Sequence, residues 1–195
     1  MNKVRKLGFL SAASAICIVG VAATSAGAAP SRSTHSPYAH ASVVKTKKLS
    51  FSATYNGTVK ILWSSTGASG TMSATGKGTT LGSGSLTATG ATKSFSTSSS
   101  SDPLSGTAVL KGTGGTLSIS ALNVSAATTS ATAPTSAAPD PVTISGTVKV
   151  TKGTGKFAGA TGTLNVHASF TVNTTTGNET QSFSATLKGS LNVKA

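Results

Sequence analysis

Few of the residue types that carry catalysis occur in this sequence. Its 195 residues include three acidic residues, three histidines and one cysteine, and aromatic residues make up 5% of the chain. Cys17 has no partner for an intrachain disulfide, so the apolar core alone has to hold the fold. Carboxylates and imidazoles are the usual general acids and bases. Their scarcity argues against acid–base catalysis.

The acidic residues and histidines also form no recognisable site. Asp102 and Asp140 each precede a proline, and Glu179 lies in the polar string TTGNETQ, so we expect all three to be solvated turn residues. His35 and His40 lie in a polar segment that offers no third metal ligand. We therefore expect no catalytic residue, no metal site and no cofactor, that is, a protein that is not an enzyme.

Negative charge is nearly absent, and the net charge is +13. Such a charge favours anionic partners, and anionic cell-wall polymers are the candidates. Arg32 is the only arginine after the first 28 residues. Because nucleic-acid recognition relies on arginine forks and stacked aromatic rings, we do not expect nucleic acid as a partner. Only Lys45, Lys47 and Lys48 cluster in the sequence, and the other lysines look scattered.

Residues 1–28 are typical of a secretory signal peptide. A basic start precedes an apolar run from Leu7 to Ala23, and Ala26 and Ala28 supply the small residues of a cleavage site. Cleavage after Ala28 removes three basic residues, which lowers the net charge from +13 to +10. An uncleaved anchor helix is the alternative, but the run is shorter than the ~20 apolar residues that span a bilayer. We expect a secreted, extracellular protein without a transmembrane segment, located at the cell wall if wall polymers are its partner.

The remaining sequence divides into a linker and one domain. Residues 29–47 show no periodicity and are predicted to be a flexible linker. Residues 48–195 alternate apolar with Ser, Thr or Lys side chains, as in Phe51 to Tyr55, which predicts half-buried antiparallel strands. Within this domain, residues 125–141 are rich in Ala, Ser, Thr and Pro and are predicted to form a low-complexity loop.

Two pairs of residues in these strands are singled out by their surroundings. Gly57 and Gly189 each stand six residues after a phenylalanine, and such mid-strand glycines mark a bend or bulge at a barrel corner. Trp63 and Tyr55 are the candidates for ligand binding. Core packing is the alternative for Trp63, because it shares the alternation phase of Ile61.

A glycine-rich string, KGTGKFAGATGTLNV, begins at Lys152. Its spacing approaches a dinucleotide-binding fingerprint, but that motif requires a following helix and a strand pattern follows here. We interpret the string as a structural turn. Gly153 and Gly155 would adopt positive φ at a reversal, Phe157 would be an apolar plug, and Gly159 and Gly162 would return the chain to the sheet.

The string GTGKFAGATGTL resembles the allene oxide cyclase and dirigent families and secreted actinobacterial proteins that carry GGTGRFAGATG-like strings. The resemblance extends over residues 145–193. It implies a small closed antiparallel β-barrel of about eight strands, lipocalin-like in shape, with an interior pocket and a tendency to form homo-oligomers. A β-sandwich is the alternative all-β fold.

Two functional hypotheses follow. The first is a non-catalytic secreted module that associates with the cell envelope or binds a small apolar ligand. The second is an isomerase or cyclase of the resembled families, and it would require polar groups inside the barrel that the sequence does not place.

Overall fold

The structure, a computed structural model, describes residues 45–94, 101–130 and 132–195. The protein is all-β, and its eight antiparallel strands form a closed barrel in which each strand pairs with its sequence neighbours and the last pairs with the first. The strands are β1 (Thr46–Ser64), β2 (Gly67–Gly78), β3 (Gly82–Thr92), β4 (Ser101–Gly112), β5 (Gly115–Thr128), β6 (Asp140–Gly153), β7 (Thr161–Val172) and β8 (Asn178–Lys194). The expected barrel is confirmed, and the sandwich alternative is wrong.

The core lies on the inner face of the barrel, as the alternation of apolar and polar residues predicts. Along β1, Phe51, Tyr55 and Val59 are at most 1% exposed and Ala53 between them is 2% exposed, whereas the residues that alternate with this inner set lie on the outer face. His167 on β7 is exposed. The largest fully buried side chains are Tyr55, Phe51, Phe157, Leu81, Leu110, Leu117, Leu164, Leu187 and Leu191.

Two ends of the barrel can be distinguished. The connections β2–β3, β4–β5 and β6–β7 lie at one end, together with the start of β1 and the finish of β8. Phe157 and Leu81 lie in these connections and are fully buried, so we call it the plugged end. The other four connections lie at the opposite end, near Asp102, Asp140 and Glu179, which we call the acidic end.

The glycine-rich string forms the β6–β7 connection at the plugged end. A short 3₁₀ turn, Gly155–Phe157, places the Phe157 ring edge-on to the Phe51 ring with 6.0 Å between centroids. Gly155 and Gly159 have φ of +61° and +68°. The predicted positive φ at Gly153 is wrong. A Cβ on Gly153 would overlap the carbonyl oxygen of Phe157, so close approach is the reason for glycine there.

Backbone amides of this connection are already paired, which excludes a phosphate cradle at these groups. The Lys156 amide donates to the Gly114 carbonyl at 2.9 Å, and the Ala160 amide donates to the Phe157 carbonyl at 2.9 Å. The turn therefore acts mechanically, as a plug that joins β6 to β7.

Gly57 and Gly189 lie on β1 and β8, the two strands that close the barrel. Phe51 lies opposite Gly189, and Gly57 lies opposite Phe183. The register continues unbroken through both glycines, so the predicted mid-strand feature is not a bulge there. A Cβ on Gly57 would overlap the Ser73 carbonyl oxygen of β2, and a Cβ on Gly189 would lie 2.7 Å from the Thr163 carbonyl oxygen of β7. Close approach of the strand on the other side is therefore the reason for glycine at both positions.

Two predicted boundaries differ from the structure. The linker was expected to reach residue 47, but β1 begins at Thr46. The loop was expected over 125–141, but β5 continues to Thr128 and β6 begins at Asp140, which leaves 129–139 as the connection. The apolar-in alternation persists through the Ala/Thr-rich residues, since Ala126 and Thr128 are buried. The signal peptide, residues 29–44 of the linker, His35 and His40 lie outside the described residues.

Within the described ranges, no helix is long and apolar enough to cross a membrane.

Candidate functional site

Two adjacent apolar cavities lie inside the barrel. The first, of about 120 Å³, occupies the middle of the barrel. The second, of about 80 Å³, lies toward the acidic end. Met72, Gly90, Leu104 and Ile144 belong to the walls of both, so the two cavities are neighbours separated only by side chains.

The cavities exist because one sector of the barrel wall has small side chains. Gly70 on β2 pairs with Gly90 on β3, and Gly90 pairs with Gly106 on β4. On the same strands, Ala88 and Ala108 also line the first cavity. These residues cannot reach the barrel axis, whereas Val, Ile, Leu and Phe from β5 to β8 extend toward it. The plugged end, where the bulky residues concentrate, is filled instead.

Two of these glycines have free space beside them. A Cβ on Gly70 would lie 3.6 Å from the Lys60 carbonyl oxygen and 3.7 Å from a Val59 methyl group. A Cβ on Gly90 would have its nearest non-neighbouring atom, the Ser105 carbonyl oxygen, at 3.4 Å. Neither glycine has a positive φ. Gly70 and Gly90 are therefore needed neither for backbone conformation nor for close approach, and their effect is to leave space.

Trp63 forms part of the wall of the second cavity. Its side chain is buried, and its Nε1 donates a hydrogen bond to Glu179 Oε1 at 3.0 Å. The expectation that Trp63 packs in the core and the expectation that it can contact a ligand are thus compatible. Its role in binding stays a prediction.

Tyr55 does not line either cavity. It is fully buried, and its hydroxyl has no hydrogen-bond partner among the described residues. Burial raises the pKa of Tyr55 to about 12, because the charged phenolate would lose its hydration. The structure therefore brings Trp63 but not Tyr55 to the cavities.

Glu179 is not the solvated turn residue that the sequence predicted. It lies on β8, and besides the Trp63 bond its Oε2 accepts bonds from the Asn173 amide at 3.0 Å and from Gln181 Nε2 at 2.8 Å. Glu179 thereby ties the end of β1 to the β7–β8 connection. Its inward position follows from continued alternation along β8, a signal that the glycine and asparagine beside it obscured.

Asp102 and Asp140 are also placed differently from the prediction. They lie within β4 and β6 at 8% and 1% exposure, because each occupies an inward phase of the strand and the following proline faces outward. The Ser94 hydroxyl donates to Asp102 Oδ1 at 3.1 Å, and the Ser130 amide donates to Asp140 Oδ1 at 3.2 Å. Asp140 Oδ2 has no partner among the described residues.

These carboxylates lie at the acidic end of the barrel and belong to neither cavity wall. The residues around both cavities are aliphatic, aromatic, Gly, Ser and Thr, with no charged side chain in either wall. Among the residues that the structure describes, no group of three His, Cys, Asp or Glu side chains is arranged to hold a metal ion. Chemically, the interior is suited to dispersion contacts with an uncharged molecule.

No protein-family profile, curated protein or solved structure matches the chain. The resemblance to the allene oxide cyclase and dirigent families therefore stays a prediction from the string GTGKFAGATGTL. Function has to be inferred from the barrel itself.

Proposed function

We propose that the protein is a secreted, non-catalytic barrel that holds a small, uncharged apolar ligand in its paired cavities. The observation that carries this proposal is the pair of adjacent apolar spaces inside a closed barrel, bounded on one side by a sector of Gly and Ala residues. Cavities in protein interiors cost stability, since the atoms around them lose packing partners. A binding function gives a reason for tolerating that cost.

Cavity size limits the ligand. An apolar cavity of about 150 Å³ stays dry and takes up benzene. The larger cavity, of about 120 Å³, is suited to about one ring or a short branched chain. Met72 and Leu104 stand between the two cavities, and methionine readily changes its rotamer. Their displacement would join the spaces for an elongated ligand of two such units.

The second hypothesis, an isomerase or cyclase, would require a polar group that reaches the ligand. Asp102, Asp140 and Glu179 face inward but belong to neither cavity wall. No observation favours catalysis specifically, so that hypothesis stays an alternative.

Binding can be tested with 1-aminonaphthalene, a neutral apolar fluorophore whose two fused rings match the size limit set by the two joined cavities. All eight strands and the whole buried core lie within residues 42–195, one compact unit, so this barrel domain is expected to fold alone. Trp63 is the only tryptophan of the chain and lies at the second cavity, so energy transfer from Trp63 reports bound probe. We expect saturable transfer.

A variant pair makes the test specific. Gly70→Ala with Gly90→Ala puts two methyl groups into the space at the second cavity, and we expect affinity to fall about tenfold, equivalent to about 1.4 kcal/mol. The control is Thr71→Ala with Thr87→Ala, which changes exposed residues of the same strands and should leave affinity unchanged. Absence of transfer, or equal losses in both variants, would refute binding in the cavities.

A further inference from the structure

The lysines are strongly segregated along the barrel axis. All twelve lysines from Lys45 to Lys194 are exposed. Two of them, Lys60 and Lys93, lie in the acidic half, and the other ten lie in the plugged half. The three acidic residues of the whole sequence all lie at the acidic end. The sequence-based expectation of scattered lysines is therefore wrong.

Eight of these lysines form a ring at the rim of the plugged end, which we call the lysine ring. Each lies within about two residues of a strand terminus or in a connection at that end. The ring consists of Lys45, Lys47 and Lys48 at β1, Lys77 on β2, Lys111 on β4, Lys152 and Lys156 at β6 and its turn, and Lys194 on β8.

The ring surrounds the barrel and does not lie on one side. Strands β3, β5 and β7 carry no lysine at this rim, but each stands between two strands that do. A flexible polymer lying along one side of the barrel would reach only part of the ring. A flat anionic surface perpendicular to the barrel axis would reach all of it.

The plugged end also lacks features of membrane insertion. Leu62 and Leu122 are the large apolar side chains that the described residues expose, and neither lies at that end. Contact there would be purely electrostatic, reversible and sensitive to salt.

We propose that the lysine ring docks the barrel end-on onto the anionic headgroups of a phospholipid surface, with the acidic end directed away. Docking rests on exposed lysines alone and does not depend on a ligand in the cavities. The carboxylates at the far end add to the orientation, because an anionic surface repels them. A whole rim of positive charge with no acidic side chain in it complements an anionic surface, and this distinguishes the plugged end from the rest of the described barrel.

The test measures co-sedimentation of the barrel domain with vesicles of mixed phosphatidylcholine and phosphatidylglycerol. We expect binding at 0.1 M salt and loss of binding at 1 M salt, where the screening length falls from about 10 Å to about 3 Å. Vesicles of phosphatidylcholine alone should not bind.

Two variants with the same change in net charge isolate the ring. Each lysine near an anionic surface contributes about fivefold to partitioning, so Lys111→Gln with Lys152→Gln should reduce binding about 30-fold. Lys60→Gln with Lys93→Gln, in the acidic half, should reduce it less than about twofold, because these lysines would stand beyond a screening length from the surface. Equal losses in the two variants would overturn the proposal, since attraction would then depend on net charge alone.

Two further readouts fix the orientation and the partner. Trp63 lies at the acidic end, so brominated lipids should leave its fluorescence unchanged, and quenching would contradict end-on docking. Soluble poly(glycerol phosphate) represents an anionic wall polymer. Tighter binding to this polymer than to the vesicles, or no vesicle binding, would overturn the lipid surface as the partner.

Discussion

Replacement of Gly70 by alanine is expected to stabilise the barrel, whereas the same replacement at Gly76 on the same strand is expected to destabilise it. A Cβ on Gly70 has its nearest non-neighbouring atoms at 3.6 and 3.7 Å, which is ordinary contact distance. A Cβ on Gly76 would overlap the Thr54 carbonyl oxygen and press against the Tyr55 ring. Both glycines lie on β2 and lack a positive φ, so they differ mainly in the space beside them.

The magnitudes follow from two effects at Gly70 and one at Gly76. Glycine within a strand is less favourable than alanine by about 0.5–1 kcal/mol, because it loses more backbone entropy on folding. Burying one methyl group adds about 0.8 kcal/mol. We expect Gly70→Ala to raise the free energy of unfolding by about 1.5 kcal/mol, the sum of the two effects. Overpacking against backbone costs about 1–3 kcal/mol, so Gly76→Ala should lower it by about 2 kcal/mol.

Thermal and urea unfolding of the barrel domain measure both changes. For a domain of about 150 residues, 1 kcal/mol corresponds to a Tm shift of about 2–4 °C. The same pair of substitutions can be compared on β3, because a Cβ on Gly90 has free space and a Cβ on Gly84 does not. If Gly70→Ala and Gly76→Ala destabilised the protein equally, the inner wall at Gly70 would not border free space. That result would contradict the presence of the second cavity beside Gly70.

The remaining predictions concern the plug and a buried hydroxyl. Phe157→Ala should lower the free energy of unfolding by about 3–5 kcal/mol, because it removes the buried ring that contacts Phe51. The control, Lys156→Ala, should change the free energy of unfolding by less than about 0.5 kcal/mol. Urea unfolding measures both changes. Burial raises the pKa of Tyr55 from 10.0 to about 12. The contribution of neutral Tyr55 to the free energy of unfolding is therefore fully present below pH 10 and is lost as the pH rises through 12, and this loss amounts to about 3 kcal/mol. Tyr55→Phe should lack this part of the alkaline destabilisation, and identical pH profiles of the two proteins would contradict it.

Much of the fold could be predicted because period-two alternation is a local property. The inward face of β1 and the outward position of His167 follow from phase along one strand, and the plug at Phe157 follows from the glycines that surround it in the turn. Strand limits were harder to predict. The Ala/Thr-rich residues before Thr128 have a weak hydrophobic contrast, and only pairing with β6 shows that they belong to a strand.

The site depended on contacts between distant strands, which the sequence does not display. The bond from Trp63 to Glu179 joins residues 116 positions apart. The space beside Gly70 requires Gly90 as its cross-strand partner. The turn preference of Asp-Pro predicts solvated turns at Asp102 and Asp140, but the inward phase of each strand determines their position, and both are buried.

The lysine ring could have been predicted once the strands were assigned. In an up-and-down barrel, consecutive connections alternate between the two ends. Lysines at the finish of β2, β4, β6 and β8 therefore gather at one end, although they are far apart in the sequence. The cavity beside Trp63 lies toward the other end. A barrel docked by its lysine ring would hold this cavity away from the surface, where a ligand can reach it. The glycine variants should then change ligand affinity without changing docking, and the lysine variants should do the reverse.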